Sequence, residues 1–218
     1  MAYCVLFDMD GVIFDTERLY LEVWKGLAVK YGLADIESVN RLGIGSTDEM
    51  YKSILKRHYP GKDIDSIYAE GVREYIGIIE KYGPPIKPYA REALEKLRKW
   101  GIKTALASST TTPTIRTELE KTALTSLFDA IIGGDMAAKS KPEPDIFLKA
   151  CAEIGMKPEE AYVIEDSFNG IRAAHKGGMK PVMVPDMLAP DDEIKSKCVF
   201  IAENILEAIN YIGDRESV

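Results

Sequence analysis

The sequence predicts an α/β fold in which one all-helical insertion interrupts a parallel sheet. Three observations support this fold class. Residues 3–7 form an uninterrupted apolar run, which is typical of a strand buried on both faces of a parallel sheet. Residues 16–82 then show helical periodicity without a convincing strand. From residue 89 onward, short apolar strands alternate with helices, as in right-handed βαβ units.

The individual elements follow from apolar spacing and from the Gly and Pro residues at their ends. The insertion is predicted to contain helices at 16–32, 47–59 and 64–82. The segment from Gly83 to Pro88 is too rich in proline to continue a helix. Beyond it we predict helices at 89–100, 113–123, 143–155, 168–177 and 204–212, and strands at 102–107, 130–133, 161–164 and 180–184. These boundaries predict a core domain of residues 1–15 and 84–218 and a helical domain of residues 16–83.

Composition and charge limit the classes of function. The chain has 218 residues, of which 46% are hydrophobic and 29% charged, as in globular proteins. Its formal net charge of -7 argues against nucleic acid or an anionic membrane as the main partner, because both need a basic surface. No apolar run reaches the ~18 residues of a membrane span, and no signal peptide precedes the first strand. We therefore expect a cytoplasmic monomer that binds neither nucleic acid nor membrane.

The cysteines and histidines are not predicted to carry the chemistry. Cys4, Cys151 and Cys198 are scattered and form no C-x-x-C pair, so we expect reduced, mostly packed thiols. His58 and His175 lie in polar helical stretches. Surface positions without a catalytic role are predicted for both.

Two carboxylates leave the carboxyl end of the first predicted strand. Asp8 and Asp10 are two residues apart, so in an extended segment their side chains point the same way. Gly11 lets the chain turn sharply, at an edge where open α/β sheets bind ligands. Convergent carboxylates repel unless a cation or proton lies between them, and hard oxygen ligands favour Mg²⁺. Asp and Gly are also ordinary turn residues, so this segment alone does not separate a site from a loop.

Later segments place more polar groups at strand ends. Ser108 and Ser109 follow the second strand, where their hydroxyls could bind an anion or cap the next helix. Lys141 follows the third strand, although a lone lysine is usually a solvated surface residue. Glu165 and Asp166 leave the fourth strand, although acidic residues also favour helix N-termini. Together these residues predict one site, with carboxylates for Mg²⁺ and with hydroxyl and ammonium donors for a phosphate.

These segments resemble, in order, the four motifs of the haloacid dehalogenase superfamily. The similarity is to the branch of small phosphatases and phosphomutases related to beta-phosphoglucomutase. The matching segments span nearly the whole chain and are Asp8-Met9-Asp10-Gly11-Val12, Ser108, Lys141 in Lys-Pro-Glu-Pro-Asp, and Glu165-Asp166-Ser167. The resemblance implies a Rossmann-like parallel-sheet core with an inserted α-helical cap domain. It also implies a Mg²⁺-dependent phosphatase acting on a small phosphorylated metabolite, such as a sugar phosphate.

The resemblance further implies a role for each residue. Asp8 is expected to be the nucleophile that forms an aspartyl-phosphate, and Asp10 the general acid and base. Mg²⁺ is expected between Asp8, the main-chain carbonyl of Asp10 and Asp166, with Glu165 bound directly or through water. Ser108 and Lys141 complete the catalytic set. The expected phosphate-binding residues are Asp8, Met9, Asp10, Ser108, Ser109 and Lys141.

Substrate specificity is expected to come from the cap. There, Tyr20, Trp24, Gly43 and Ser46 are predicted to shape the pocket. Beta-phosphoglucomutases carry a basic cap residue for the second phosphate of a bisphosphate, whereas this chain has no Arg or Lys in residues 42–48. Without that cation a bisphosphate would be poorly held, which favours hydrolysis over a mutase reaction.

A non-enzymatic alternative is a phospho-receiver-like regulator, which also uses an aspartyl-phosphate and Mg²⁺. A receiver has no cap, so the helical insertion favours an enzyme. Asp10, the second carboxylate of the first motif, favours an enzyme as well.

Overall fold

The structure, a computed structural model, describes residues 3–43 and 48–217. They form two compact units. One contains the chain up to Asp15 and from Ile86 onward, and the other is Thr16–Pro85. No helix in the described part of the chain is both long and apolar enough to cross a membrane.

The first unit is built on a six-stranded parallel sheet with the order β3-β2-β1-β4-β5-β6. The strands are β1 (Cys4–Phe7), β2 (Lys103–Ala107), β3 (Ala130–Ile132), β4 (Ala161–Glu165), β5 (Lys180–Met183) and β6 (Phe200–Ile201). Strand β1 lies at the centre, because Phe7 pairs with Leu106 of β2 on one side and with Ile164 of β4 on the other. The predicted α/β fold with a parallel, Rossmann-like sheet is confirmed.

Helices cover both faces of this sheet. They are α5 (Ala90–Lys99), α6 (Thr112–Lys121), α7 (Asp145–Glu153), α8 (Phe168–Lys176), α9 (Asp192–Lys197) and α10 (Ile205–Glu216). Val5 and Phe7 belong to the apolar layer that includes α5, α6 and α10, whereas Cys4 and Leu6 belong to the layer that includes α7 and α8. Successive side chains of a strand alternate between faces, so β1 must be apolar at every position to fill both layers.

The second unit contains only helices among its described residues. These are α1 (Thr16–Tyr31), α2 (Ile36–Gly43), α3 (Asp48–His58) and α4 (Ile64–Tyr82). Its core includes Val23, Leu27 and Leu55, which lie on one face of their helices and pack together. The Asp63 side chain accepts a hydrogen bond from the Ser66 N–H at 3.2 Å and thereby starts α4.

Among the described α-helices and strands, α2, α9 and β6 were not predicted, and α10 is longer than predicted. Helices α2 and α9 have eight and six residues, and β6 has two. Segments this short contain too few apolar positions to show a period. Helix α10 continues to Glu216, beyond the predicted end at residue 212.

The predicted packing of the cysteines and the predicted surface positions of the histidines agree with the structure. Cys4 and Cys151 are buried free thiols, and Cys198 is a half-buried one. His58 and His175 are exposed.

Candidate active site

Asp8 lies directly after β1, at the carboxyl edge of the sheet. Its N–H donates to the carbonyl of Ile164 at 3.0 Å, so the pairing with β4 continues up to this residue. Burial raises the pKa of the Asp8 carboxyl above its ordinary value; Lys141 opposes the rise, and Glu165 and Asp10 add to it. A cation beside Asp8 would therefore stabilise the charged form of this carboxyl.

Lys141 supplies a cation at this position. Its Nζ donates to Asp8 Oδ1 at 2.5 Å and to Glu165 Oε1 at 2.7 Å, and the side chain is only 8% exposed. The ammonium also lies 4.8 Å from the centre of the Phe147 ring. Burial disfavours its charge, but Asp8 and Glu165 outweigh that effect and raise the pKa of Lys141. The lysine is therefore a fixed positive charge beside Asp8.

The turn after Asp8 requires a glycine. Gly11 has φ of 78°, and its N–H donates to the Phe14 carbonyl at 2.8 Å. A Cβ atom at position 11 would lie 2.3 Å from Asp166 Oδ2. Gly11 thus permits the turn and also leaves space for the Asp166 carboxylate.

Three carboxylates form a candidate metal site. Oxygen atoms of Asp8, Glu165 and Asp166 all lie within 4.8 Å of one another. Burial raises the pKa of Asp166, and the charges of Glu165, Asp8 and Asp186 raise it further, while Lys141 lowers it. A divalent cation would relieve the repulsion between these crowded carboxylates. Because all the donors are oxygen atoms, the site fits Mg²⁺.

Glu165 is held in place by the start of α8. Its Oε2 accepts a hydrogen bond from the Ser167 N–H at 2.7 Å. A Cβ atom at Gly170 would lie 1.6 Å from Glu165 Oε1, so only glycine leaves room for this carboxylate. The first turn of α8 therefore fixes Glu165 against Lys141.

Two hydroxyl groups lie beside Asp10. Thr110 Oγ1 donates to Asp10 Oδ2 at 3.2 Å, and Ser108 Oγ lies 3.5 Å from the same oxygen. The Thr110 N–H donates to Ser108 Oγ at 3.1 Å. These contacts orient the Asp10 carboxylate. Thr110 follows the same strand as Ser108 and makes the shorter of the two hydroxyl contacts to Asp10.

The loop that carries Ser108 and Thr110 is braced by the loop after β3. Asp135 Oδ1 accepts hydrogen bonds from the N–H and the Oγ1 of Thr112, at 2.7 and 2.9 Å. The Gly134 N–H donates to the Thr110 carbonyl at 2.9 Å. Asp135 therefore caps α6 from another loop and holds the hydroxyl-bearing segment in place.

Comparison with known proteins agrees with this geometry. Residues 5–184 match the family model of the haloacid dehalogenase-like hydrolases. The chain belongs to this family. It is 33% identical over 178 residues to the phosphorylated carbohydrates phosphatase of Thermotoga maritima, covering 82% of each chain. It is 32% identical over 225 residues to the beta-phosphoglucomutase of Bacillus subtilis, covering 98% of each chain.

A solved structure shows that the likeness extends to the whole fold. A crystal structure from Thermotoga maritima superimposes on this hydrolase with a TM-score of 0.82, at 29% identity, covering 98% of this chain and 99% of that one. The family and the enzyme class that the four motifs predicted, a phosphatase-type hydrolase, are therefore confirmed.

The structure of the hydrolase brings the predicted catalytic and metal-binding residues together. Asp8, Asp10, Ser108, Lys141, Glu165 and Asp166 all lie at the carboxyl edge of the sheet. The Met9 side chain is buried in the core, so this residue can contact a ligand only through its backbone. The Ser109 side chain is exposed.

The four predicted cap residues belong to the second unit and differ in their surroundings. Tyr20 is half-buried and Trp24 fully buried, and their rings meet edge to face with centres 6.2 Å apart. Gly43 is the last residue of α2. Ser46 lies outside the described residues. Trp24 is therefore a core residue of its own unit, in contact with Tyr20.

Two charged residues near the acidic cluster were also missed. Lys87 lies in the proline-rich segment between the two predicted domains, and Asp186 follows the end of β5. The Lys87 Nζ donates to Asp186 Oδ1 at 2.6 Å. A carboxylate just beyond a strand is the signal that identified Asp8, and it could have identified Asp186 as well.

Glu118 is a buried acid that the sequence did not indicate. It lies on α6 between the core residues Ile115 and Leu119, and only 5% of it is exposed. Its Oε2 atom finds no hydrogen-bond partner among the described residues. Burial raises the pKa of Glu118 to about 7, and the charge of Asp10 adds to the rise. Between about pH 4.5 and pH 7 we therefore expect the folded chain to hold a proton here that the unfolded chain has released.

Glu118→Gln is expected to make stability less dependent on pH. Because the folded-state pKa exceeds the ordinary value of 4.5, the wild-type protein loses stability as pH rises from that value through about 7. At about pH 8 the variant should be more stable by about 2 kcal/mol, and near pH 4 the difference should vanish. Urea unfolding across this range measures the effect. Glu120→Gln, an exposed change on the same helix, is the control. A constant difference at every pH would contradict the assignment.

Proposed function

We propose that this hydrolase is a Mg²⁺-dependent phosphatase that acts on a small phosphomonoester, such as a sugar phosphate. The observation that carries the proposal is the placement of Lys141 2.5 Å from Asp8, beside the carboxylates of Glu165 and Asp166. This arrangement combines a nucleophile, a cation for phosphate oxygens and ligands for a metal ion. Relatives named phosphorylated carbohydrates phosphatase and hexitol phosphatase B support a phosphorylated small substrate.

In the first step, an Asp8 carboxylate oxygen attacks phosphorus in line with the leaving oxygen. The new bond forms an aspartyl-phosphate while the bond to the leaving oxygen breaks, and Asp10 donates a proton to that oxygen. Thr110 and Ser108 orient Asp10 for this transfer. Ser108 and Lys141 bind the phosphate oxygens that do not react.

In the second step, Asp10 removes a proton from water, and the resulting oxygen attacks phosphorus. The bond to Asp8 breaks, which releases inorganic phosphate and restores the free carboxylate. The main-chain carbonyl of Asp10 and the carboxylates of Asp8 and Asp166 would hold Mg²⁺, with Glu165 bound directly or through water. When bound, this cation offsets the negative charge between nucleophile and phosphate.

The second unit, Thr16–Pro85, is proposed to act as the cap that selects the substrate. Tyr20 is its best candidate for substrate contact, because its ring is half-buried and touches Trp24, Tyr51 and Tyr75. A tyrosine side chain provides an apolar ring face and a hydroxyl that can donate or accept a hydrogen bond, which suits the non-phosphate part of a sugar phosphate.

A phosphomutase is the second candidate, since one relative is named beta-phosphoglucomutase. A mutase must hold the non-reacting phosphate of a bisphosphate, which needs a cation in the cap. Residues 42–48 contain none, and Arg41, the nearest cation before them, is exposed in the last turn of α2. Hydrolysis is therefore favoured.

The test incubates the protein with Mg²⁺, beta-glucose 1-phosphate and a trace of the corresponding bisphosphate, and in parallel with a panel of phosphomonoesters. We expect phosphate release from at least one small phosphomonoester, its loss on chelation, and no conversion to glucose 6-phosphate above background. Asp8→Asn protein purified in parallel controls for contaminating phosphatases. Rapid formation of glucose 6-phosphate without matching phosphate release would establish the mutase instead.

A further inference from the structure

A buried ion pair lies beside the acidic site, and the proposed mechanism does not use it. The Lys87 Nζ lies 2.6 Å from Asp186 Oδ1 and 3.5 Å from Asp15 Oδ1. The Asp186 side chain is only 1% exposed. Desolvating an ion pair costs as much as the attraction returns, so a buried pair is poor evidence for a stabilising role. A role in positioning other groups is the better explanation.

Lys87 is hydrogen-bonded to the loop that follows Asp8. The Lys87 N–H donates to the Ile13 carbonyl at 2.9 Å. The preceding residue, Ile86, forms an antiparallel bridge with Phe14, which in turn forms a bridge with Asp10. Backbone and side chain of Lys87 thus both contact the segment between Asp10 and Asp15.

The aspartate belongs to the edge of the sheet that carries Glu165 and Asp166. The Val184 N–H donates to the Glu165 carbonyl at 2.8 Å, so the chain leading to Asp186 runs alongside the end of β4. Lys87 and Asp186 therefore connect two segments that each supply metal ligands.

We propose that Lys87 and Asp186 are a positioning pair that holds the Asp8–Asp15 loop against the β4–β5 edge and thereby sets the Mg²⁺ affinity of the site. This inference rests on the proposed Mg²⁺-dependent function. The separation between Asp8 and Asp166 depends on how these two segments meet, and Mg²⁺ tolerates little deviation in its ligand geometry. Groups outside the ligand set that orient the ligands have this effect in other metal sites.

A positioning role and a purely electrostatic role predict different changes in Mg²⁺ affinity when Lys87 is neutralised. If the pair acted only through charge, removing the Lys87 cation would strengthen Mg²⁺ binding and removing the Asp186 anion would weaken it. If the pair acts by holding the two segments together, either change weakens binding. The double variant should then lose little more Mg²⁺ affinity than either single variant, because one substitution already breaks the contact.

The experiment measures Mg²⁺ binding to the full chain by isothermal titration calorimetry. The variants are Lys87→Met, Asp186→Asn, the double variant and Lys87→Arg. Each neutral single variant is expected to weaken Mg²⁺ binding by about tenfold, and the double variant by no more than about the same factor. Lys87→Arg keeps the charge and should retain most of the affinity, because only one carboxylate, that of Asp186 at 2.6 Å, binds Lys87 closely, whereas Lys141 is held closely by two. Lys176→Met, which removes an exposed ion pair with Glu143, is the control and should bind as the wild type does.

Opposite effects of Lys87→Met and Asp186→Asn would overturn the positioning role. So would unchanged Mg²⁺ affinity in variants whose melting temperature has fallen, because that result describes a structural contact only. If Lys87→Met does not fold, Lys87→Gln replaces it, because Asp186→Asn weakens binding under both roles and cannot separate them. Wild-type protein that releases phosphate without binding Mg²⁺ would instead refute the proposed function and this inference with it.

Discussion

Asp8→Asn is expected to lower phosphate release by about 10⁴-fold or more, because an amide cannot replace the attacking carboxylate. The change is nearly isosteric, so the fold and the neighbouring Lys141 should stay in place. Steady-state phosphate release measures the loss. Asp192→Asn, on the exposed first turn of α9, is the matched control and should retain wild-type activity. An Asp8→Asn protein with more than a few per cent of wild-type turnover would contradict the nucleophile assignment.

Asp10→Asn separates the two aspartates. It removes the proton donor and base but leaves the nucleophile, so the loss should be larger for alkyl phosphates than for aryl phosphates with good leaving groups. Asp8→Asn should instead abolish both reactions alike. Asp10 is also the proposed base in the second step, which all substrates share, so the comparison uses kcat/KM, which reports the first step. Equal losses of kcat/KM on both substrate types in Asp10→Asn would argue against its role as the general acid.

Lys141→Met is expected to lower kcat/KM by about 10³-fold, since it removes the fixed cation that faces the phosphate oxygens. The ammonium is held by Asp8 at 2.5 Å and Glu165 at 2.7 Å, so it needs little rearrangement to stabilise the developing charge. Lys141→Arg is expected to rescue little, because a planar guanidinium cannot fit between two carboxylates that hold a compact ammonium. Kinetics with a phosphomonoester measure these losses.

The control for this prediction is Lys149→Met, an exposed change on α7. It should leave kcat/KM unchanged. A Lys141→Met protein within tenfold of the wild type, as measured by kcat/KM, would show that the cation does not act in the reaction.

The site could be predicted because its residues follow strands that the sequence shows plainly. Strand β1 is apolar at every position, so its end, and with it Asp8, is visible in the sequence. Parallel strands place their carboxyl ends at one edge, which brings Ser108, Lys141 and Glu165 towards Asp8 from distant parts of the chain. The rule that ligands bind at the carboxyl edge of a parallel sheet is therefore enough to predict this grouping from the sequence.

The missed residues depend on contacts that no local pattern encodes. Lys87 and Asp186 are 99 residues apart, and their pairing depends on how two loops meet above the sheet. Glu118 occupies a helical position that faces the core, but a charged residue within a short amphipathic helix usually marks its solvent face. The two-residue β6 is defined by its pairing with β5 rather than by its composition. Tertiary packing determines all three features.

The most direct test of the account is to trap the phosphorylated protein. Wild-type protein mixed with Mg²⁺ and an active phosphomonoester is quenched in acid within one turnover, and the peptide that contains Asp8 and Asp10 is fragmented by mass spectrometry. We expect one phosphoryl group on Asp8 and none on Asp10. We expect no phosphorylated peptide when Mg²⁺ is chelated or when the Asp8→Asn protein is used. A phosphoryl group on another residue, or rapid phosphate release without any phosphorylated peptide, would contradict it.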